Sequence, residues 1–200
     1  IQIEKIGEAA PRPWPAGDRP LAGLRVLDLS RVIAGPVAGR TWAAHGADVM
    51  LVSSPNLPSI PWLVIDTGRG KLTSFADLKT EQGRNVLRDL LASADIFSQG
   101  YRPQSIAALG FSAEDAARIS PGIVYVSMCA YGHAGPWAGR RGFDSLVQTS
   151  TGFNHAEGKA AGIDGPKELP MQILDHATGY LMAFGAMMAR LRQARGGGSW

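Results

Sequence analysis

The sequence predicts an α/β protein built on a doubly wound, mostly parallel sheet with flanking helices, and three observations carry that reading. Short apolar runs rich in Val, Ile and Leu recur as LRVLDLS (24–30), ADVMLV (47–52), ADIFSQG (94–100) and IVYVSM (123–128). Unbroken runs of strand length, rather than alternating ones, are what strands buried on both faces require. Segments of helical length with start and stop signals lie between them. Finally, 45% hydrophobic and 18% charged residues in a chain of 200 give enough apolar surface to close a core.

Each element follows from local chemistry. Residues 1–20 end in PRPWPAGDRP, whose four prolines fix φ and remove donors, so the segment is expected to be an extended arm or linker. The strand at 24–30 runs into RVIAGP, where Pro36 suits the first turn of a helix reaching His45, closed by Gly46. With ADVMLV this makes a β-α-β unit. A turn-rich connection with three prolines (53–61) and then WLVIDTGRGK lead to LTSFADL, which alternates as a strand does. Thr80 and Glu81 open a helix through Ala92, followed by the strand at 94–100. Ser112 and Asp115 have the spacing of a capping box, and Pro121-Gly122 turns the chain into the strand at 123–128. A glycine-rich loop YGHAGPWAGRRGFD (131–144), a helical stretch at 145–151, a flexible loop at 158–170 and one long helix from about Met171 to Gln193 complete the chain. Gly179, Ala183 and Ala186, spaced by four and three, let another element pack closely on that last helix.

Several classes of function are set aside by composition and motif. A single cysteine, Cys129, allows no internal disulfide and points to a reducing cytoplasm; in its apolar strand it reads as a small buried hydrophobe. The longest apolar run, 180–189, is far shorter than the ~20 residues of a membrane span. The net charge of +3, from 20 basic and 17 acidic residues, is scattered rather than clustered, so nucleic acid is not expected as a partner. The first strand-to-helix turn, RVIAGPVAG, lacks GxGxxG, Gly68–Lys71 lacks the P-loop spacing, and GxSxG is absent. His45, His133, His155 and His176 show no metal-ligand spacing, so no metal is expected. Asp175, after Pro170 and in the first turn of the last helix, reads by itself more readily as an acid stabilising its own helix than as a catalytic group.

Five segments, in order, resemble the family III CoA-transferases, the group that includes formyl-CoA and carnitine CoA-transferases and the α-methylacyl-CoA racemases. They are PLAGLRVLDLSRVIAGPVAGRTWAAHGADVMLV (20–52), RGKLTSFADLKTEQGR (69–84), ADIFSQGYRP (94–103), SPGIVYVSMCAYGHAGPWAGRRGFD (120–144) and LDHATGYLMAFGAMMARL (174–191). The likeness runs almost continuously from Pro20 to the end.

The resemblance implies a Rossmann-like large domain over residues 21–200, part of an interlocked homodimer whose smaller domain is not in this sequence. It implies that Asp175 attacks an acyl-CoA thioester, giving a mixed anhydride and then an aspartyl-CoA thioester as CoA passes to a carboxylic acid acceptor. CoA is then a substrate rather than a bound cofactor. Its contacts are expected at Ile33 and Ala34 after the first strand, at Ala76, Asp77, Leu78 and Lys79, at Gly100, Tyr101 and Arg102, and at Arg141, Gly142, Phe143 and Asp144. Lys79, Arg102 and Arg141 carry the charge to meet phosphates.

The sequence departs from the family at three places. Ser53 and Ser54 stand where a Lys-x-Glu ending is usual, Ala108 stands where a basic residue often precedes the Leu-Gly pair, and Phe143 takes the place of the racemases' histidine. The last of these favours CoA transfer over racemisation or isomerisation, because proton removal and return on opposite faces need a second base. A noncatalytic domain that keeps the fold for assembly is the remaining alternative. As a piece of a longer chain, it is expected to fold but to be catalytically crippled alone.

Overall fold

The computed structural model describes residues 1–200. Five parallel strands, β1 (Arg25–Leu29), β2 (Asp48–Ser53), β3 (Lys71–Phe75), β4 (Ile96–Gln99) and β5 (Val124–Ser127), form one sheet in the order β3-β2-β1-β4-β5. Val26 of the central strand pairs with Val49 on one side and with Ile96 on the other. The helices are α1 (Ala34–Ala44), α2 (Pro61–Thr67), α3 (Glu81–Ala92), α4 (Ala113–Ile119), α5 (Asp144–Ser150), α6 (Phe153–Ala160) and α7 (Ile173–Gly196), with a short 3₁₀ turn at Ala107–Leu109.

The unbroken apolar runs at β1, β4 and β5 have the meaning expected of them, since their alternate residues face two cores. Leu24, Val26, Val49, Ile96 and Val124 pack under α1 and α7 with Trp42, Ala38, Ala183 and Ala186. The alternate residues Leu27, Leu29 and Phe97 pack on the other face against Leu87 and Leu91 of α3 and Ala116 of α4. Local signals also hold. The Thr80 side chain accepts from the Gly83 N–H at 3.0 Å, and Ser112 and Asp115 form the reciprocal capping box.

The close partner of α7 is α1. A Cβ on Gly179 would lie 2.5 Å from the Ala34 carbonyl oxygen, and the Trp42 indole donates to the Ala183 carbonyl at 3.3 Å. The small residues of α7 therefore bring its first turns down onto the start of α1.

One segment left without an assigned element and the start of one expected loop are helical. WLVIDT is helical, as α2, with Pro61 at its first position, where a missing N–H costs nothing. Its run of Leu, Val and Ile carries no helical periodicity, because the helix leaves Trp62, Val64 and Ile65 exposed. The start of the expected 158–170 loop is the last turn of α6, whose Gly158 sits against the backbone of Gly165 and Lys167.

Residues 1–17 form no helix or strand beyond a single bridge from Gly7 to Ser199, and the segment is held along its length. The Ile6 N–H donates to Ser199 O at 2.8 Å, the Gln193 amide donates to Ala10 O at 2.9 Å, and the buried Arg190 donates to the carbonyls of Arg12 and Pro13 at 3.0 and 2.9 Å. No helix is long and apolar enough to cross a membrane.

Candidate active site

The strand order places the site. After β3 the chain returns past β1 to add β4 on its other side, so the loops leaving β1 and β4 diverge at their carboxyl ends, where open α/β sheets form a crevice. A cavity of about 360 Å³ lies there. Its walls bring together Ile33 and Ala34 after β1, Gly100, Tyr101 and Arg102 after β4, Arg141, Gly142, Phe143 and Asp144 from the glycine-rich loop, and Asp175 from the first turn of α7. Ten residues widely separated in sequence thus share one cavity.

The other four implied contacts, Ala76, Asp77, Leu78 and Lys79, line a neighbouring recess of about 190 Å³. Leu29, Leu57, Tyr101 and Ser105 border both spaces, so the two form one groove across the top of the sheet. Ser53 and Ser54 line the recess, as does Leu109, whereas Ala108 does not. Asn56 donates to the Asp77 carboxylate at 2.8 Å, tying the connection after β2 to the loop after β3.

The loop after β1 is conformationally strained. Val32 adopts φ +71°, a region costly for a β-branched residue, and it faces the cavity. The same twist leads into the N-terminus of α1, whose N-cap residue, Ile33, supplies no side-chain acceptor, and the first turn of α1 carries no acid. Its free N–H groups and partial positive charge are suited to an anionic ligand group. Four guanidinium groups, Arg31, Arg102, Arg140 and Arg141, line the same cavity. Arg140 stacks on Trp137 with its carbon 5.1 Å from the ring centroid, and Arg31 donates to the Pro58 carbonyl. Sequence reasoning passed over Arg31, Val32 and Arg140. Arg31 was the most legible of these, standing directly after a strand of a parallel sheet.

Two acids, Asp144 and Asp175, line the same cavity. Asp144 is 3% exposed, and its Oδ2 accepts the Asp175 backbone N–H at 2.8 Å. The resemblance had implied a CoA contact for this residue; its nearest partners here are the Asp175 backbone and Gln148. The Asp175 side chain is half-buried, and its carboxyl is pushed up to about 6, first by burial and then by the charge of Asp144, with His176 opposing. The expectation of a carboxylate simply stabilised by its own helix is therefore reversed. Burial and a neighbouring acid outweigh the helix terminus, and the group is left basic, ionised above pH 6 and facing open space. Burial likewise raises the Tyr101 phenol and the Cys129 thiol. Gly142 passes so close to Ala130 and Tyr131 that a Cβ there would lie 2.6 Å from the Ala130 methyl. Phe143 is 61% exposed beside it.

Known proteins resemble this chain in sequence and in fold. The chain is 36% identical over 186 residues to the acetyl-coenzyme A transferase nodX of Hypoxylon pulicicidum, covering 91% of this chain and 31% of that protein. It is 33% identical to the succinyl-CoA:glutarate CoA-transferase of Mus musculus, covering 88% of this chain and 42% of that one. The crystal structure of Rv3272 from Mycobacterium tuberculosis superimposes with a TM-score of 0.83 at 31% identity over 91% of this chain and 52% of its own. A CAIB/BAIF family protein from Brucella suis superimposes with a TM-score of 0.81 at 29% identity, over 92% and 52%. The chain thus spans less than half the length of these curated relatives. The family model for CoA-transferase family III matches residues 21–199, nearly the whole of the α/β domain described above, and the chain belongs to that family.

Proposed function

We propose that this chain forms the CoA-binding part of an enzyme that transfers CoA between carboxylic acids, with Asp175 as the nucleophile. The observation that carries the reading is a half-buried carboxylate, raised to about 6, on the wall of a cavity whose other lining includes four arginines and the start of α1. The arginines and the α1 amides suit the phosphates of an acyl-CoA, and the apolar recess by Ala76, Leu78 and Leu109 suits a flat, weakly charged portion of the same molecule.

In the reaction, the Asp175 carboxylate attacks the thioester carbonyl and expels the CoA thiolate, giving a mixed anhydride. The thiolate returns to the aspartyl carbonyl and releases the donor acid as its carboxylate, leaving aspartyl-CoA. The acceptor carboxylate then attacks that thioester, forming a second anhydride, and the thiolate attacks its acyl carbonyl to give the new acyl-CoA and free Asp175. Each step exchanges one acyl bond for another, and every nucleophile and leaving group is a carboxylate or the CoA thiolate, so no external proton or electron is needed. No histidine of this chain lines the cavity, which supports transfer over racemisation. An acyl-CoA and a carboxylic acid are the partners in this reading, and a cytoplasmic homodimer is its setting.

Trapping tests it. Full-length protein incubated with acyl-CoA and then hydroxylamine or borohydride should yield a peptide modified at Asp175 by mass spectrometry, and Asp175→Asn should abolish both trapping and turnover. Unmodified Asp175 in protein that turns over would overturn it.

A further inference from the structure

Asp144 and Asp175 lie 31 residues apart, on α5 and α7, and meet at the start of α7. The first N–H groups of a helix have no partner within it. Gln172, the N-cap of α7, supplies no side-chain acceptor, and the Asp175 N–H donates instead to Asp144 Oδ2 at 2.8 Å. The other oxygen, Oδ1, accepts from the Gln148 amide one turn along α5. Both oxygens of this buried carboxyl are therefore used within the chain, and Asp144 is a cap borrowed from another element.

We propose that Asp144 is a positioning residue: it fixes the first turn of α7 through the Asp175 N–H and sets a second acid beside the nucleophile, rather than binding CoA. This deepens the reading of Asp175 given above and rests on it. A bare helix N-terminus would stabilise the Asp175 carboxylate and weaken it as a nucleophile. Asp144 occupies that terminus and opposes the effect with its own charge. Burial and Asp144 raise the Asp175 carboxyl to about 6, His176 acts against them, and the other ionisable groups on the cavity walls are Arg31, Tyr101, Arg102, Cys129, Arg140 and Arg141. A more basic carboxylate attacks a thioester carbonyl faster.

The test compares Asp144→Asn and Asp144→Ala in the full-length protein. Asparagine keeps an oxygen for the Asp175 N–H but removes the charge. It should lower kcat by about tenfold, leave KM for acyl-CoA within about twofold, and move the acid limb of the pH–rate profile to lower pH. Alanine removes the cap as well and should lose more. If Asp144 instead holds CoA, Asp144→Asn raises KM while kcat and the acid limb stay fixed, and the proposal is overturned. A second measurement needs no turnover: the pH midpoint for labelling Asp175 with a water-soluble carbodiimide, read by peptide mass spectrometry. That midpoint should fall in Asp144→Asn, and an unchanged midpoint rejects the positioning role even where Asp175 is trapped as an adduct. If Asp175→Asn keeps full activity, the transfer reading fails, while the labelling midpoint still reports on Asp144 alone.

Discussion

Asp28, at the end of β1, and Asp175, at the start of α7, have opposite surroundings. Asp28 is fully enclosed and fully paired. Its Oδ2 lies 3.0 Å from Lys71 Nζ, whose side chain is also fully enclosed and which donates to the Pro36 carbonyl at 2.9 Å, while Oδ1 accepts from the Ser30 N–H at 2.9 Å. Lys71 reaches it from β3 across the intervening β2. Asp175 is half open and faces a second acid, with His176 opposing it. A buried charge with every partner in place is framework, because its desolvation is offset and its removal would leave an orphan. A carboxylate held near another acid is kept unstable, and such groups cluster at sites of chemistry. The strained Val32 follows Asp28 in the loop after β1 and lines the cavity that Asp175 also lines.

The largest expected effect breaks the framework side. Lys71→Met leaves Asp28 buried and uncompensated and should cost about 3–5 kcal/mol by urea denaturation, whereas pairing it with Asp28→Leu should recover most of that loss. A single-variant cost below about 1 kcal/mol would erase the distinction. Next is Gly39→Ala. Gly39 of α1 passes directly over the pair, and a Cβ there would collide with Asp28 Oδ2 and Lys71 Nζ, so a loss of about 1–3 kcal/mol is expected by the same measurement.

Asp175→Asn should have the opposite sign. The folded carboxyl, at about 6, sits above its ordinary value of 3.8, so the folded state binds the proton more tightly than the unfolded one. The stability this group contributes is full below pH 3.8 and is lost as pH rises through 6. Removing the charge should therefore raise stability by about 1 kcal/mol above pH 6, a figure discounted for the side chain's partial exposure, with no gain near pH 4. Melting curves of both proteins across pH 4–7 decide it, and a destabilised Asp175→Asn at pH 7 would count against the strained-acid description. The smallest effect is a surface control. Arg40 and Asp66 pair at 2.6 Å but are 25% and 45% exposed, so Arg40→Ala should cost about 0.5 kcal/mol, and less at high salt.

Much of the fold was legible because its signals are local. The two-faced strands, the Thr80 cap, the Ser112–Asp115 box and the small-residue stripe at Gly179, Ala183 and Ala186 each depend on residues within a few positions of one another. α2 was not legible, because its exposed Trp62, Val64 and Ile65 give the hydrophobic run of a strand. The site was legible as a set of loops and one aspartate through resemblance; pattern alone left Asp175 as an ordinary first-turn acid.

The sequence by itself determined the α/β class, the parallel sheet, most element positions and the absence of any helix fit to span a membrane, because periodicity and capping act over one or two turns. Tertiary structure alone decided which charges meet. Lys71 finds Asp28 because three adjacent strands are in parallel register, and Asp144 finds the Asp175 N–H because α7, through Gly179, settles onto α1 beside the glycine-rich loop. Electrostatic environment depends on distance through space and on burial, and neither quantity is written in the order of residues along the chain.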